Sequence, residues 1–353
     1  MAKPSLKLSF RGWLTIITLV LLTVVVIFAW PEIVKAWGLL DKVNLWILAL
    51  LIPVQLFSYY ATGGMIFSYL RSKGDVKDMN RWGMARISLE LNFVNHILPS
   101  GGAAGFSYLG WVLGRHGVRA GRSTMSQIIR FALTFISFLM LLVIAVIFLV
   151  IDHRIDRLII ILCSLLVVAC IGATVLMIYI IGSKRRLEKF SQWLTNFVNK
   201  VVRKVTRGRK LNILKPTIIS EFFGELHQDY VEIRRDKRIL IKPFIWAILA
   251  NMADVALIWI AFWSLGFAVS PAILFVAFGL SSIASAVSVT PGGAGVYEAI
   301  MIGFLASSGV PPDVAIAGTL LARVTLVVGT ILFGYILYQL TVNKYGRSTP
   351  LSK

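Results

Sequence analysis

The chain has 353 residues, 58% of them hydrophobic, and its mean hydropathy is +0.81. A soluble domain of this length does not have this composition, so the sequence predicts an all-α polytopic membrane protein. The net charge of +20 would suggest nucleic acid as the partner of a soluble protein. Here the basic residues lie between apolar segments, where membrane topology and anionic headgroups account for them better. We therefore expect membrane phospholipids as partners and no nucleic acid.

The sequence lacks the motifs of common enzyme and metal sites. The two cysteines, Cys163 and Cys170, lie seven residues apart in one apolar segment, and the four histidines have no metal-ligand spacing. It contains no phosphate-binding loop with the required spacing and no zinc-protease motif. We expect no enzymatic activity, no cofactor and no metal.

Apolar segments of roughly 20 residues are long enough to cross a bilayer as helices. The chain contains six of them, at 13–30, 45–70, 128–150, 158–181, 244–265 and 314–340. Two more apolar regions, 87–113 and 272–308, are interrupted near the middle. The arms of the first have only about 11 or 12 residues, which is too short to cross. We expect about six full spans plus two re-entrant hairpins.

The two interruptions have similar sequences. Proline removes a backbone donor and glycine weakens a helix, so both break the helical pattern. In hydrocarbon such a break is tolerated only where protein or a water-filled cavity surrounds it. The residues concerned are Pro99, Gly101 and Gly102 in the first break and Pro291, Gly292, Gly293 and Gly295 in the second.

The basic residues predict the topology. Of the 36 lysines and arginines, 30 lie in segments that would share one side of the membrane and four in segments on the other. The positive-inside rule then places both termini in the cytoplasm, and we expect the bacterial cytoplasmic membrane. The predicted regions are an N-terminal membrane half (1–182), a basic cytoplasmic section (183–242), a C-terminal membrane half (243–342) and a cytoplasmic tail (343–353).

The basic section predicts amphipathic helices. Apolar residues recur at helical spacing from Leu187 to Val205, with basic residues on another face, which is typical of a helix at the membrane surface. A second helical stretch runs from Thr217 to about Ile233. The section either recruits anionic lipid or is a connector that obeys the positive-inside rule.

With this topology the first hairpin opens to the cytoplasm and the second to the exterior. Each is followed by a span that carries an arginine: Arg130 lies 31 residues after Pro99, and Arg323 lies 32 residues after Pro291. Span, hairpin and span thus occur twice with opposite orientation, as in the inverted repeats of secondary transporters. The alternative is that glycine and proline are simply common in membrane helices.

Arg323 and Arg130 are candidate binding residues because ionisable groups at membrane depth are expensive. Arg323 either binds an anion such as phosphate or forms an ion pair with Asp254 or Glu298. Arg130 is nearer the predicted cytoplasmic end of its span and can snorkel to the surface. Asp254 is a further candidate, with a structural pairing as the alternative.

Glu298 and Asn95 complete the candidate set. Glu298 is expected about two turns inside the returning arm of the second hairpin, where it contacts a headgroup amine or carries a proton. The alternative is an acidic residue in the first turn, stabilised by the half-helix dipole. Asn95, with Asn92 and His96, can line the first hairpin, although a lone histidine is more often a packing residue.

Three stretches resemble the lysylphosphatidylglycerol synthase transmembrane-region, or flippase-like, family. They are Leu-Pro-Ser-Gly-Gly at 98–102, Pro-Gly-Gly-Ala-Gly-Val-Tyr-Glu at 291–298 and Leu-Leu-Ala-Arg at 320–323. In the multiple peptide resistance factors, such a domain moves aminoacylated phospholipid and is followed by an aminoacyl-transferase domain. The resemblance implies lipid translocation by a stand-alone member without that enzyme. The residues that match the family's pattern are Pro291, Gly292, Gly293, Gly295, Glu298 and Arg323.

The sequence therefore predicts flippase- or scramblase-like translocation of an anionic or modified phospholipid, or of a lipid-linked precursor. One alternative is a small-solute or ion secondary transporter on the same scaffold. Another is a membrane partner of a lipid- or glycan-modifying enzyme that transports nothing itself. The oligomeric state stays open.

Overall fold

The structure is a computed structural model, and it describes residues 43–97, 103–151, 157–189, 192–193, 216–287 and 293–345, together with 27 and 34. The described residues form helices and no strands, which confirms an all-α polytopic membrane protein. The predicted first span at 13–30, except for residue 27, and most of the predicted surface helix that begins at Leu187 lie outside the described residues, as does the tail beyond Tyr345.

The helices follow the apolar pattern of the sequence. In chain order they are α1 (Leu45–Ala49), α2 (Leu51–Ser72), α3 (Arg81–Ile97), α4 (Ala103–Gly114), α5 (Ala120–Ile151), α6 (Arg157–Ile181), α7 (Pro216–Arg235), α8 (Ile241–Ser264), α9 (Pro271–Val287), α10 (Val296–Ser307) and α11 (Pro312–Tyr345). Five helical segments of the described part are long and apolar enough to cross a membrane: Leu45–Ser72, Ala120–Ile151, Ile160–Ile181, Lys237–Ser264 and Pro312–Lys344.

Two predicted spans differ in detail from the structure. The segment from Leu45 is divided at Leu50 into α1 and α2, and Pro53 falls in the first turn of α2, where its missing N–H is not needed. Helix α5 begins at Ala120, eight residues before the predicted start. Its polar first turns are held by α7, because Arg122 contacts Asp229 at 3.3 Å and the Gly121 N–H donates to Glu225 at 3.1 Å.

Each interrupted region forms a long arm and a short arm. Helices α3 and α9 have 17 residues, and helices α4 and α10 have 12. A 12-residue helix is roughly 18 Å long and cannot cross the hydrocarbon core alone. Helix α3 is longer than predicted because its first turns are polar and lie outside the apolar window. The breaks themselves, including Pro99, Gly101, Gly102, Pro291 and Gly292, lie outside the described residues.

The two halves have matching neighbours. The first half contains α2 to α5, and the second contains α8 to α11. In each half the first helix packs on the second and fourth, and the third contacts the second and fourth. Between the halves, α2 packs on α8, α3 on α11 and α5 on α9. Exchanging the halves leaves this pattern unchanged.

The two cross-half contacts α5–α9 and α3–α11 each pack a phenylalanine against a glycine. A Cβ atom on Gly279 would lie 2.2 Å from Cζ of Phe138, and one on Gly334 would lie 2.4 Å from Cβ of Phe93. A larger residue at either position would require the phenylalanine to move, and the absence of a side chain lets the helices approach closely. These contacts fix each long arm against a span of the other half.

Candidate functional site

The second break ends in two glycines with positive φ. Gly293 has φ 71° and Gly295 has φ 84°, a region that favours glycine. A Cβ atom on Gly293 would also lie 1.7 Å from Oγ of Ser285 on α9. The two arms of this hairpin are therefore in close contact just before α10 begins.

Glu298 is the third residue of α10, so it lies in the first turn and not two turns inside, as the sequence had suggested. Its Oε2 accepts the Gly295 N–H at 2.6 Å, which satisfies one free donor of the helix start. Its Oε1 lies 2.8 Å from Nε of Arg323. This contact has the distance of an ion pair without the alignment of a hydrogen bond. Glu298 thus links the break to α11.

Arg323 has a carboxylate partner. Besides Glu298, its guanidinium lies over the ring of Tyr297, 4.8 Å from the centroid. Of the two acidic residues that the sequence offered, the structure pairs Arg323 with Glu298. Asp254 instead accepts a hydrogen bond from the Ser58 hydroxyl at 2.5 Å. Within the described residues Asp254 forms no salt bridge.

Arg130 lies in a different environment. It is the eleventh residue of α5 and is only 9% exposed, so it does not snorkel to the surface. Its guanidinium lies 4.5 Å from the ring centroid of Phe131, which stacks on Phe106 of α4 at 5.8 Å. Among the described residues, its Nε has no hydrogen-bond partner and no carboxylate lies within ion-pair distance. Arg130 is therefore a buried positive charge beside the first hairpin.

Two amide side chains lie near the start of the short arm α4. Asn95 of α3 packs on Gly105, where an added Cβ atom would lie 2.2 Å from Oδ1 of Asn95. Gln127 of α5 donates from Nε2 to the carbonyl of Gly105 at 3.3 Å. The sequence analysis did not select Gln127. Its signal was its position one turn before Arg130 on the same helix face.

Glu90 was also missed by the sequence analysis. It is fully buried and accepts hydrogen bonds from Arg86 at 2.8 Å and from the hydroxyls of Tyr108 and Thr341 at 2.5 Å each. These contacts join α3, α4 and α11. The i,i+4 spacing of Arg86 and Glu90 was a detectable signal, but the hydroxyl partners depend on the tertiary fold. Because the carboxylate has a cation and two further donors, its role is to hold these three helices together.

An apolar groove of about 610 Å³ lies between α2, α3 and α11. Arg81 and Trp82 line it at the start of α3, and Leu89 and Phe333 line it further along. On α11, helical spacing places Phe333 on the same face as Thr330, Leu326 and Arg323. The face of α11 that lines the groove therefore continues to Arg323, which contacts Glu298 at the second break.

Asn92 and His96 continue the α3 face that lines this groove. Asn92 donates to the carbonyl of Ser88 at 2.9 Å, and the Nδ1 of His96 lies 2.8 Å from the carbonyl of Asn92. Both side chains are bonded to their own helix. The expectation of a packing role for His96 agrees with these contacts.

Comparison with known proteins gives a family and remote relatives. Residues 14–334 match the family described as Lysylphosphatidylglycerol synthase TM region. The UPF0104 membrane protein MJ1595 of Methanocaldococcus jannaschii is 26% identical over 163 residues, which cover 46% of each chain. A UPF0104 membrane protein of Methanothermobacter thermautotrophicus is 22% identical over 231 residues, or 65% of this chain and 67% of the relative.

The first of these matches spans less than half of the relative's length. No solved structure matches the chain. The family match covers most of the sequence and includes both breaks and both arginines. The chain therefore belongs to the lysylphosphatidylglycerol synthase TM region family, as the motifs of its second break predicted.

Proposed function

We propose that the protein translocates a phospholipid or lipid-linked phosphate across the bacterial cytoplasmic membrane, with its anionic headgroup contacting Arg130. The observation that carries this proposal is the environment of Arg130. Ionisable side chains within membrane helices are costly, and they normally pair with an opposite charge or face a polar cavity. Arg130 is buried, and no carboxylate of the described residues offsets its charge. A bound phosphate would supply the missing anion, and the guanidinium fork suits it.

The packing of the two halves supports a transporter scaffold. We propose that α2–α5 and α8–α11 are an inverted repeat whose hairpins enter from opposite faces of the membrane. The arms have equal lengths in the two halves, and the same pairs of helices are in contact when the two halves are exchanged. The α5–α9 and α3–α11 contacts each pack a phenylalanine against a glycine. Transporters of this design bind their substrate between the repeats, near the midplane.

The apolar groove gives the acyl chains a place beside the polar interior. Its wall residues are apolar, and Arg81 and Trp82 at its outer end are both exposed. Tryptophan and arginine are typical of the membrane interface, where they contact headgroups. In this proposal the chains stay in the groove or the bilayer while the headgroup passes through the protein.

Reconstitution into liposomes tests the proposal. Liposomes would contain lipids with a fluorescent acyl chain, and chemical bleaching of the outer leaflet would report exchange between leaflets. We expect faster exchange than in empty liposomes, and about tenfold slower exchange for Arg130→Ala, which corresponds to about 1.4 kcal/mol. The matched control is Arg119→Ala, which removes the same charge from an exposed position next to α5.

Two results would contradict the proposal. One is exchange no faster than in empty liposomes for anionic, zwitterionic and lipid-linked phosphate substrates alike. The other is an Arg130→Ala variant that is correctly folded and exchanges lipid at the normal rate. Uptake of a water-soluble anion without lipid exchange would favour the small-solute transporter instead.

A further inference from the structure

Two buried hydrogen-bond acceptors lie at the first hairpin without a donor among the described residues. Oε1 of Gln127 and Oδ1 of Asn95 are both buried and have no partner among the described residues. A buried acceptor without a donor costs about 1–3 kcal/mol. Arg130 lies one helical turn from Gln127, and its Nε also has no partner among the described residues. A ligand that satisfies these side chains would need both an acceptor and a donor.

The orientation of the Gln127 amide follows from its contact. The carbonyl of Gly105 can only accept, so the atom of Gln127 that faces it must be the NH₂ group. The two ends of the amide therefore cannot be exchanged, although such assignments are often ambiguous. Oε1 must point away from Gly105, and the side chain is only 1% exposed. Within the described residues, its lack of a donor therefore does not depend on how the amide was oriented.

These groups lie around one turn of helix. Gly105 is the third residue of α4, and it touches both Asn95 of α3 and Gln127 of α5. Gln127 and Arg130 are three residues apart on α5 and so share a face. Arg130 is also tied to α4 through the stack of Phe131 on Phe106. Within the described residues, two acceptors without donors thus lie beside Gly105, and the Nε of Arg130, which has no acceptor, lies one turn along α5 from Gln127.

We infer that the substrate is a phosphodiester lipid whose headgroup carries its own hydrogen-bond donor, such as a hydroxyl or a primary ammonium. This inference rests on the proposed function. The phosphate oxygens accept from Arg130, and the headgroup donor binds Oε1 of Gln127 and Oδ1 of Asn95. Glycerol, ethanolamine and sugar headgroups have such donors. A choline headgroup has the same phosphate but no donor, so it leaves both amide oxygens unpaired.

Phosphatidylethanolamine and phosphatidylcholine are the matched pair for the test. Both are zwitterionic and can carry identical chains, so they differ in the presence of a donor. The measurement is the leaflet exchange of each labelled lipid in the same proteoliposomes. A neutral hydrogen bond contributes about 0.5–1.5 kcal/mol, so we expect ethanolamine lipid to exchange about two- to tenfold faster than choline lipid.

Gln127→Leu removes the acceptor with little change in volume. We expect it to slow the ethanolamine lipid more than the choline lipid, so that the ratio of the two rates falls toward one. Asn95→Ala, which creates space and no clash, should reduce the preference in the same direction. Thermal unfolding in detergent establishes that each variant is folded, and Gln127→Met replaces Gln127→Leu if the latter is not.

The possible failures are distinct. If the protein exchanges both lipids equally fast, the headgroup inference is wrong and the proposed translocation stands. If the protein prefers ethanolamine lipid and both Gln127→Leu and Asn95→Ala keep this preference, the two amides do not bind the headgroup. The inference is wrong in that case as well. If neither lipid nor phosphatidylglycerol nor a lipid-linked phosphate moves, the proposed function is wrong.

Discussion

The two halves of the membrane domain place an arginine at almost the same distance after a broken helix, yet the two arginines have opposite surroundings. Arg323 contacts the carboxylate of Glu298 at 2.8 Å. Arg130 contacts an aromatic ring and, within the described residues, no carboxylate. Corresponding positions in the two halves therefore have different partners. In the second half the arginine forms an ion pair with the first turn of α10. In the first half the arginine has no carboxylate partner among the described residues, which is the basis of the proposed phosphate contact.

Loss of Glu298 should have the largest effect. Glu298→Ala leaves the partly buried guanidinium of Arg323 without its carboxylate and frees the Gly295 N–H. Removing one partner of a buried ion pair destabilises a protein by about 3–5 kcal/mol. Denaturant unfolding in detergent measures the change. Adding Arg323→Leu to Glu298→Ala should restore part of the stability. A single variant as stable as the parent would contradict a structural role for the pair.

The glycines of the two breaks allow a second test. Gly293 has a positive φ and backbone atoms of Ser285 within 3.0 Å of an added Cβ atom, whereas helical Gly105 faces only the movable amide of Asn95. Gly293→Ala combines strain with a clash that the backbone cannot relieve, so it should destabilise by about 1–3 kcal/mol. Gly105→Ala should have a smaller effect on unfolding. The reverse order would show that the second break is the more adaptable one.

Arg130→Leu should separate stability from activity. The substitution removes a buried charge that has no carboxylate partner in the described structure, so the free energy of unfolding should stay the same or rise. Lipid exchange should nevertheless fall about tenfold, because the phosphate loses its guanidinium. Glu298→Ala should change stability first and activity only through it. Equal destabilisation by both substitutions would remove the distinction between the two arginines.

The sequence predicted much of the fold but not the different partners of Arg130 and Arg323. The apolar spans, the two breaks and the arginine after each break follow from local composition and spacing. Helical spacing cannot tell which arginine meets a carboxylate, since Glu298 and Arg323 are 25 residues apart and meet only when α10 packs on α11. Gln127 and Glu90 were missed for the same reason. Their neighbours Gly105 and Thr341 lie on other helices.

The groove between α2, α3 and α11 gives a smaller prediction about the route of the chains. Ala85 lines this groove, and Ala85→Trp would fill part of its volume. We expect lipid exchange to slow several-fold without loss of stability, because the wall is apolar and open to lipid. Val168→Trp, at an exposed position on α6, is the control for a bulky residue facing the bilayer. Equal rates for both variants would argue against the groove as a chain site.

An exposed ion pair provides the weakest contrast with the buried one. Lys73, the residue that follows α2, contacts Glu232 on α7, and the hydrogen bond from Lys73 holds the pKa of Glu232 below its ordinary value. A carboxylate with a lowered pKa stabilises the folded state above its unfolded pKa of about 4.3. This stabilisation is lost as the pH falls through the folded value. Because Glu232 is half exposed, we expect less than about 1 kcal/mol. Between pH 7 and pH 3, the free energy of unfolding should therefore depend slightly less on pH in Lys73→Ala than in the parent. An equal or larger pH dependence in the variant would show that this pair does not hold α7 to α2.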